Sequence, residues 1–308
     1  MIASMSWLAG PAIAETYPTR TIRLIVPFAP GGATDLIGRM VGQRLSEVIG
    51  QSVVIENRPG GTENIGVRAC AAAAPDGYTL CLPTQRSIVY NGLTMRQMPF
   101  DPDRDLTPII NLYFGTSVIA INSEHQVRSI DELIRFARAR RGALSYGTFA
   151  FSLEYFIEKL NKENGIDIVK VPFRSGTELA SAVLANATPI GALGVSNVVS
   201  YLESGRMTGL AVSSNERMVL FPDIPTVNEL RPGEKYPPSW FGLFAPAETP
   251  REIVDRIADV TGKILATSSF GDKLFEPAGQ KLDDFRKFIA DDRAIAQQIV
   301  RDLGMEPQ

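Results

Sequence analysis

Short β-branched runs alternate with helix-period runs along almost the whole chain, and this alternation limits the fold more than any other feature. Thr21–Pro27 reads TIRLIVP and predicts a strand. A turn follows at Ala29-Pro30-Gly31-Gly32. Leu36, Ile37, Met40, Val41, Leu45, Val48 and Ile49 then recur at helical spacing until Gly50 stops them. Ser52–Ile55 is the next strand, and Asn57-Arg58-Pro59-Gly60-Gly61 the next turn. A helix around Ile65–Ala74 ends at Pro75-Asp76-Gly77, before a third strand at Tyr78–Leu82. The order βαβαβ predicts an α/β fold: a parallel sheet with helices on both faces.

A second series repeats the logic. Its strands fall near Leu144–Tyr146, Ile168–Val171, Pro189–Leu193 and Thr208–Val212. Its helices fall near Leu153–Asn161, Glu178–Leu184 and Asn197–Leu202. Ser129-x-x-Glu132 and Ser175-x-x-Glu178 read as capping boxes. Ile109–Ile121 and Trp240–Phe244 are aromatic or β-branched stretches suited to cross between two units. The 308 residues fit two domains of roughly 150 each. The expected division is residues 15–119 with 239–308 as one lobe and 120–238 as the other, hinged near 119–121 and 238–240.

Residues 1–14, MIASMSWLAGPAIA, carry no charge and end in the small-x-small pattern Ala12-Ile13-Ala14. They read as a secretory signal clipped at its start, the alternative being a frayed apolar terminus. No later stretch reaches the ~20 apolar residues of a membrane span. Cys70 lies in a helix pattern and Cys81 in a strand pattern. They read as two buried small hydrophobes, with a disulfide as the alternative if that helix packs on that strand.

Composition removes several chemistries. One histidine and two cysteines are too few for a His/Cys zinc site. A nucleophile–histidine centre would depend on His125, in the polar loop Asn122-Ser123-Glu124-His125, which reads as a surface residue. With 31 Lys+Arg against 34 Asp+Glu and no basic block, nucleic acid is a poor partner. Neither GxxxxGK[ST] nor GxGxxG occurs. Asp283-Asp284 and Asp291-Asp292 read as a helix N-terminus and a solvated face.

What remains are turns that follow strands. Phe28-Ala29-Pro30-Gly31-Gly32-Ala33-Thr34-Asp35 joins a buried strand to a helix. Ligands collect at the carboxyl ends of parallel strands, and a helix N-terminus suits an anion. A tight turn capped by Thr34 or Asp35 is the equal alternative. Ser145–Ser152, Pro83–Ser87 and Pro172–Thr177 follow the same pattern. In the last two, Arg86 and Arg174 either grip a carboxylate bidentately or are ordinary solvated arginines.

Several strings taken together resemble the Bug family, the substrate-binding proteins of tripartite tricarboxylate transporters. The resemblance opens with Tyr17-Pro18 and runs through Ile25-Val26-Pro27-Phe28-Ala29-Pro30-Gly31-Gly32-x-Thr34-Asp35. It continues in Val54-Ile55-Glu56-Asn57-Arg58-Pro59-Gly60, Asn64-Ile65-Gly66 and Ala74-Pro75-Asp76-Gly77-Tyr78-Thr79-Leu80. Pro99-Phe100-Asp101-Pro102, Tyr146-Gly147, Val171-Pro172-Phe173, Pro222-Asp223-Ile224-Pro225-Thr226-Val227 and Trp240-Phe241-Gly242-Leu243-Phe244-Ala245-Pro246 complete it, so that it covers residues 17–306.

The resemblance implies a two-lobed type II periplasmic binding protein fold, each lobe a sheet flanked by helices, joined by crossing strands. It implies a monomer that captures a small organic acid between two pincer loops and passes it to membrane permease subunits, with no cofactor and no nucleic acid. The first pincer would be Phe28, Gly31, Gly32, Ala33, Thr34 and Asp35, with the Asp35 carboxylate capping the helix while backbone N–H groups face the ligand. The second would be Gly147, Thr148, Phe149 and Ser152, with Thr84, Gln85, Arg174 and Gly194 nearby. Where relatives carry Gly and Ser in the second pincer, this chain has Thr148-Phe149-Ala150-Phe151-Ser152. Two aromatics there predict a more apolar pocket, suited to an aromatic or longer-chain mono- or dicarboxylate. Leu193-Gly194, without the usual acidic or amide residue, argues against a ligand amino group. The alternative role is a ligand sensor for a membrane receptor.

Overall fold

The computed structural model describes residues 17–173, 175–267 and 274–304. The expected signal segment 1–14 and Arg174 lie outside the described residues. Two mixed sheets organise the chain. The first has six strands. In chain order these are β1 (Ile22–Val26), β2 (Val53–Asn57), β3 (Thr79–Cys81) and β4 (Leu106–Gly115), with two more added from the C-terminal part. The second has five strands: β5 (Ser117–Asn122), β6 (Leu144–Thr148), β7 (Ile168–Lys170), β8 (Ile190–Gly194) and β9 (Met207–Val212). β10 (Ser239–Pro246) and β11 (Phe275–Pro277) complete the first sheet.

The strand order is β11-β4-β10-β3-β1-β2 in one sheet and β7-β6-β8-β5-β9 in the other. The βαβαβ prediction holds locally, because β1 pairs parallel with both β2 and β3. The sheets are not wholly parallel, however. β10 runs antiparallel to β3 and β4, and β5 antiparallel to β8 and β9. Strands β4 and β5, and β10 after β9, carry the chain between sheets, so they enter against the local direction. The stretch expected as one strand, Ile109–Ile121, is two, and the change of sheet falls at Thr116. Side-chain alternation cannot reveal such a break when both faces are buried, as they are along nearly all of both strands.

Helices cover the sheets with their apolar faces. Ala33–Ile49 buries Ile37, Val41 and Leu45 and stops at Gly50 in the left-handed region. Ile130–Arg138 and Gly176–Leu184 begin at the predicted capping boxes, where Ser129 Oγ accepts from Glu132 N at 3.2 Å and Ser175 Oγ from Glu178 N at 3.1 Å. The short helix Asn64–Ala71 packs on β3, which brings Cys70 and Cys81 to a Cα separation of 6.0 Å and joins them as a disulfide. The reading of two unlinked thiols is thereby corrected. On its other contacts the same helix needs Gly66, where a Cβ would come within 2.7 Å of the Arg58 carbonyl oxygen after β2 and 2.8 Å of the Pro27 side chain after β1.

The C-terminal helix Leu282–Leu303 ties the lobes together. Phe285, Ile289, Asp292, Ala296 and Ile299 fall on one buried face. That face packs on β4 in the first lobe and on helix Phe151–Asn164 in the second. As a result one apolar cluster runs from Ile25 and Trp240 through Phe285 to Phe156 and Ile119. Asp292 is 3% exposed, so the solvated face expected for Asp291-Asp292 holds for its neighbour only. Among the described residues, no helix is long and apolar enough to cross a membrane.

Candidate functional site

The carboxyl end of β1 meets the N-terminus of helix Ala33–Ile49 at a turn that several side chains build. Gly31 has φ +90°, open to glycine at little cost. Asp35 reaches back to accept from Gly31 N at 2.9 Å, and from Arg39 Nε at 2.9 Å and Asn57 Nδ2 at 2.8 Å. The same Asn57 amide donates to the Phe28 carbonyl at 3.0 Å. Asn57 therefore stitches the turn to β2. The first helical bond is Leu36 N to Gly32 O at 3.0 Å, which leaves the earlier N–H groups of Ala33 and Thr34 free of helical partners.

Burial alone would raise the Asp35 carboxyl, but hydrogen bonds from Arg39, Gly31 and Asn57 outweigh it and hold the group below the usual range. Arg39 is half exposed, so its pair is worth under about 1 kcal/mol. The inner bonds from Gly31 and Asn57 add to it. Asp35→Asn is expected to lose about 2 kcal/mol at neutral pH by urea unfolding. Because the folded-state value is depressed, Asp35's contribution is present above about pH 4 and is lost as pH falls. The difference between wild type and variant should therefore shrink in acid, and a constant difference down to pH 3 would contradict it.

This turn opens on a cavity of about 100 Å³ between the two sheets. From the first lobe, Phe28, Gly32, Ala33 and Thr34 line it, joined by Thr84 and Gln85 after β3. Phe149 and Gly194 line it from the second lobe. Those predicted residues come together. Gly31, Asp35, Gly147, Thr148 and Ser152 stand outside the lining. Asp35 shapes the turn, as described. Gly147 is a packing position, where a Cβ would come within 2.6 Å of both Leu179 and Phe173.

The second pincer contributes wall, not donors. Phe149 N donates to the Ala192 carbonyl at 3.1 Å, and Ala150 N to Thr148 Oγ1 at 3.0 Å. Phe151 crosses the cleft to stack on Tyr90, with ring centroids 3.7 Å apart. The second lobe's backbone donors come instead from the N-terminus of helix Gly176–Leu184, where Ser175 and Gly176 line the cavity beside Asn197. A Cβ at Gly176 would meet the Asn197 side chain at 2.9 Å. The capping box at Ser175 marks this helix start in the sequence, but nothing local ties it to the first turn. Two helix N-termini, one from each lobe, thus face one cavity, an arrangement that favours an anion.

The floor is aromatic, with Trp240 and Phe241 of β10 beside Tyr90. Gln85 is held from behind: its Nε2 donates to both oxygens of Asp292 at 3.0 and 2.9 Å, and Trp240 Nε1 donates to Asp292 Oδ2 at 2.8 Å. Glu63 is buried beneath the same loop and accepts from Thr84 N at 2.9 Å and Ser87 Oγ at 2.8 Å. Burial pushes its carboxyl up, against those hydrogen bonds. Arg86 is the only charged side chain among the described residues of the lining. His125 stands elsewhere, 2.7 Å from Asn186 Oδ1.

Residues 37–305 match the TctC family, the tripartite tricarboxylate transporter family receptor. Over 306 residues the chain is 30% identical to a UPF0065 protein of Bordetella pertussis, covering 97% of this chain and 94% of that one. It is also 30% identical to protein BugT of the same organism, over 96% of this chain and 93% of the relative. Among solved structures, an R. palustris protein solved with adipate superposes with a TM-score of 0.88 at 29% identity, covering 95% of this chain and 100% of that one.

Proposed function

The chain belongs to the tripartite tricarboxylate transporter receptor family, and on that basis we propose that it captures a small organic carboxylate between its lobes, in the periplasm, for delivery to a permease. The observation that carries this reading is the pair of helix N-termini, from Ala33 and Gly176, opening on one aromatic-lined cavity. Backbone N–H groups hold a carboxylate without histidine, metal or thiol. The aromatic walls favour a ligand with an apolar body, and the adipate-bound R. palustris relative is consistent with that. Export, with residues 1–14 as the signal, agrees with the Cys70–Cys81 disulfide, a bond suited to an oxidising compartment.

The chain has two tryptophans, Trp7 in the proposed signal and Trp240 in the cavity floor. Intrinsic fluorescence of the mature protein therefore reports on the site. Titration with citrate, succinate, adipate and terephthalate, checked by calorimetry, is expected to give the tightest binding with adipate or terephthalate. Tightest binding to citrate would overturn the apolar-pocket reading, and binding of none of the four would overturn carboxylate capture.

A further inference from the structure

Arg86 begins a single π-helical turn, Arg86–Tyr90, that hangs from the first lobe over the cavity. π turns of this kind recur at functional sites. Its side chain is 23% exposed and its Nε is buried without a hydrogen-bond partner. Across the cleft, Glu154 on helix Phe151–Asn164 is its ion-pair partner. The distance from Arg86 Nη1 to Glu154 Oε2 is 3.5 Å, well beyond the 2.7–2.9 Å of a charge-assisted hydrogen bond. Glu154 Oε2 makes no hydrogen bond at all.

The reason is that Glu154 is already committed. Its other oxygen, Oε1, accepts from Lys170 Nζ in β7. Two cations share one carboxylate, and Lys170 has the closer share. A guanidinium presents five N–H donors in a planar fork that matches a carboxylate. Arg86 is therefore charged, partly desolvated and under-satisfied, at the wall of a cavity that otherwise offers aromatic rings, small polar groups and helix N-termini.

We propose that Arg86 is the carboxylate anchor of this cavity: a ligand carboxylate takes the guanidinium fork that Glu154 holds only loosely, and Glu154 stays with Lys170. This rests on the carboxylate-capture reading and adds to it a specific ionic contact. Glu154 then acts as a built-in competitor, and the site selects ligands that present an ionised carboxylate beside an apolar body.

The test compares adipate with its uncharged diamide, adipamide, on wild type, Arg86→Gln, Arg86→Lys and Glu154→Gln by calorimetry. Terephthalate and its diamide serve if they bind more tightly. Arg86→Gln is expected to weaken the diacid by about 30-fold or more and to leave the diamide unchanged. Arg86→Lys should recover part of the loss, since it restores charge without the fork. Glu154→Gln should tighten the diacid, because the competitor is gone.

Arg86→Gln binding the diacid within about 3-fold of wild type, or losing diacid and diamide equally, would overturn the anchor while capture by the helix N-termini stands. If Arg86→Gln does not fold, Glu154→Gln decides alone: tighter binding supports the anchor, and unchanged or weaker binding overturns it. Wild type binding none of the acids removes both this inference and the capture reading beneath it.

Discussion

Trp240→Ala is expected to destabilise the protein by about 4 kcal/mol. Trp240 is fully buried and packs edge-on against Phe285 and Phe288, with centroids at 5.3 and 6.2 Å, and beside Phe244 at 6.5 Å. Phe285 and Phe288 belong to the C-terminal helix, so the indole, together with Phe244 against Phe285 at 5.4 Å, holds that helix to β10. Its loss leaves a cavity in the cluster shared by both lobes. It also removes a donor to Asp292. Trp240→Phe keeps most of the packing and should cost about 1–2 kcal/mol, chiefly the lost hydrogen bond and some volume. Urea unfolding followed by circular dichroism measures both. A loss under about 2 kcal/mol for the alanine variant would mean that the helix collapses into the space. The variant should also bind ligand more weakly, because the cavity floor widens.

The second large effect concerns pH. Desolvation pushes the Asp292 carboxyl up to about 6, although hydrogen bonds from Trp240 and Gln85 and the charge of Arg293 pull the other way. The folded-state value lies above the ordinary one of 3.8. The native state therefore holds this proton more tightly than the unfolded chain does. The resulting stability is fully present below about pH 4 and is lost as pH rises through about 6, amounting to about 3 kcal/mol.

Asp292→Asn stays neutral throughout and keeps one acceptor oxygen. Unfolding free energies measured from pH 4 to 8 should thus show wild type losing about 3 kcal/mol relative to Asp292→Asn across that window. Asp292→Ala leaves Gln85 Nε2 and Trp240 Nε1 without their acceptor, and should be less stable than the asparagine variant by about 2 kcal/mol at every pH. Parallel pH curves for wild type and Asp292→Asn would show that the aspartate is not desolvated in solution. Asp35 supplies the opposite sign, at lower pH, so the two variants separate the acid limb of the stability curve from its neutral limb.

Legibility in the sequence follows distance along the chain. The first turn can be read because most of what makes it is local: β-branched residues to Val26, the glycines, and Asp35 four residues from Gly31; only the Asn57 bonds come from farther along the chain. The capping boxes at Ser129 and Ser175 are equally plain, since an N-cap reaches only three residues ahead. Phe149 and Phe151 read as apolar additions to the second pincer, and Phe149 does line the cavity. That Phe151 spends its face on Tyr90 is not visible in the sequence, because the two rings meet only when the lobes do. Asp292 reads as half of a solvated pair, yet its role depends on Gln85, 207 residues away. Arg86 reads more readily as a surface arginine than as a carboxylate grip, and its contact with a Glu154 that Lys170 shares exists only in the folded molecule.

The two α/β units, most helix starts and the anion-suited turn at Gly31–Thr34 are therefore properties of the sequence, because hydrophobic period, capping and glycine conformation act within a few residues. The exchange of sheets at Thr116, the disulfide, the choice of Gly176 as the second lobe's helix start, and the buried Asp292 and Arg86 clusters belong to the folded molecule. They arise from desolvation and from contacts between segments distant in the chain, and neither quantity exists for a residue until the fold has brought its distant partners around it.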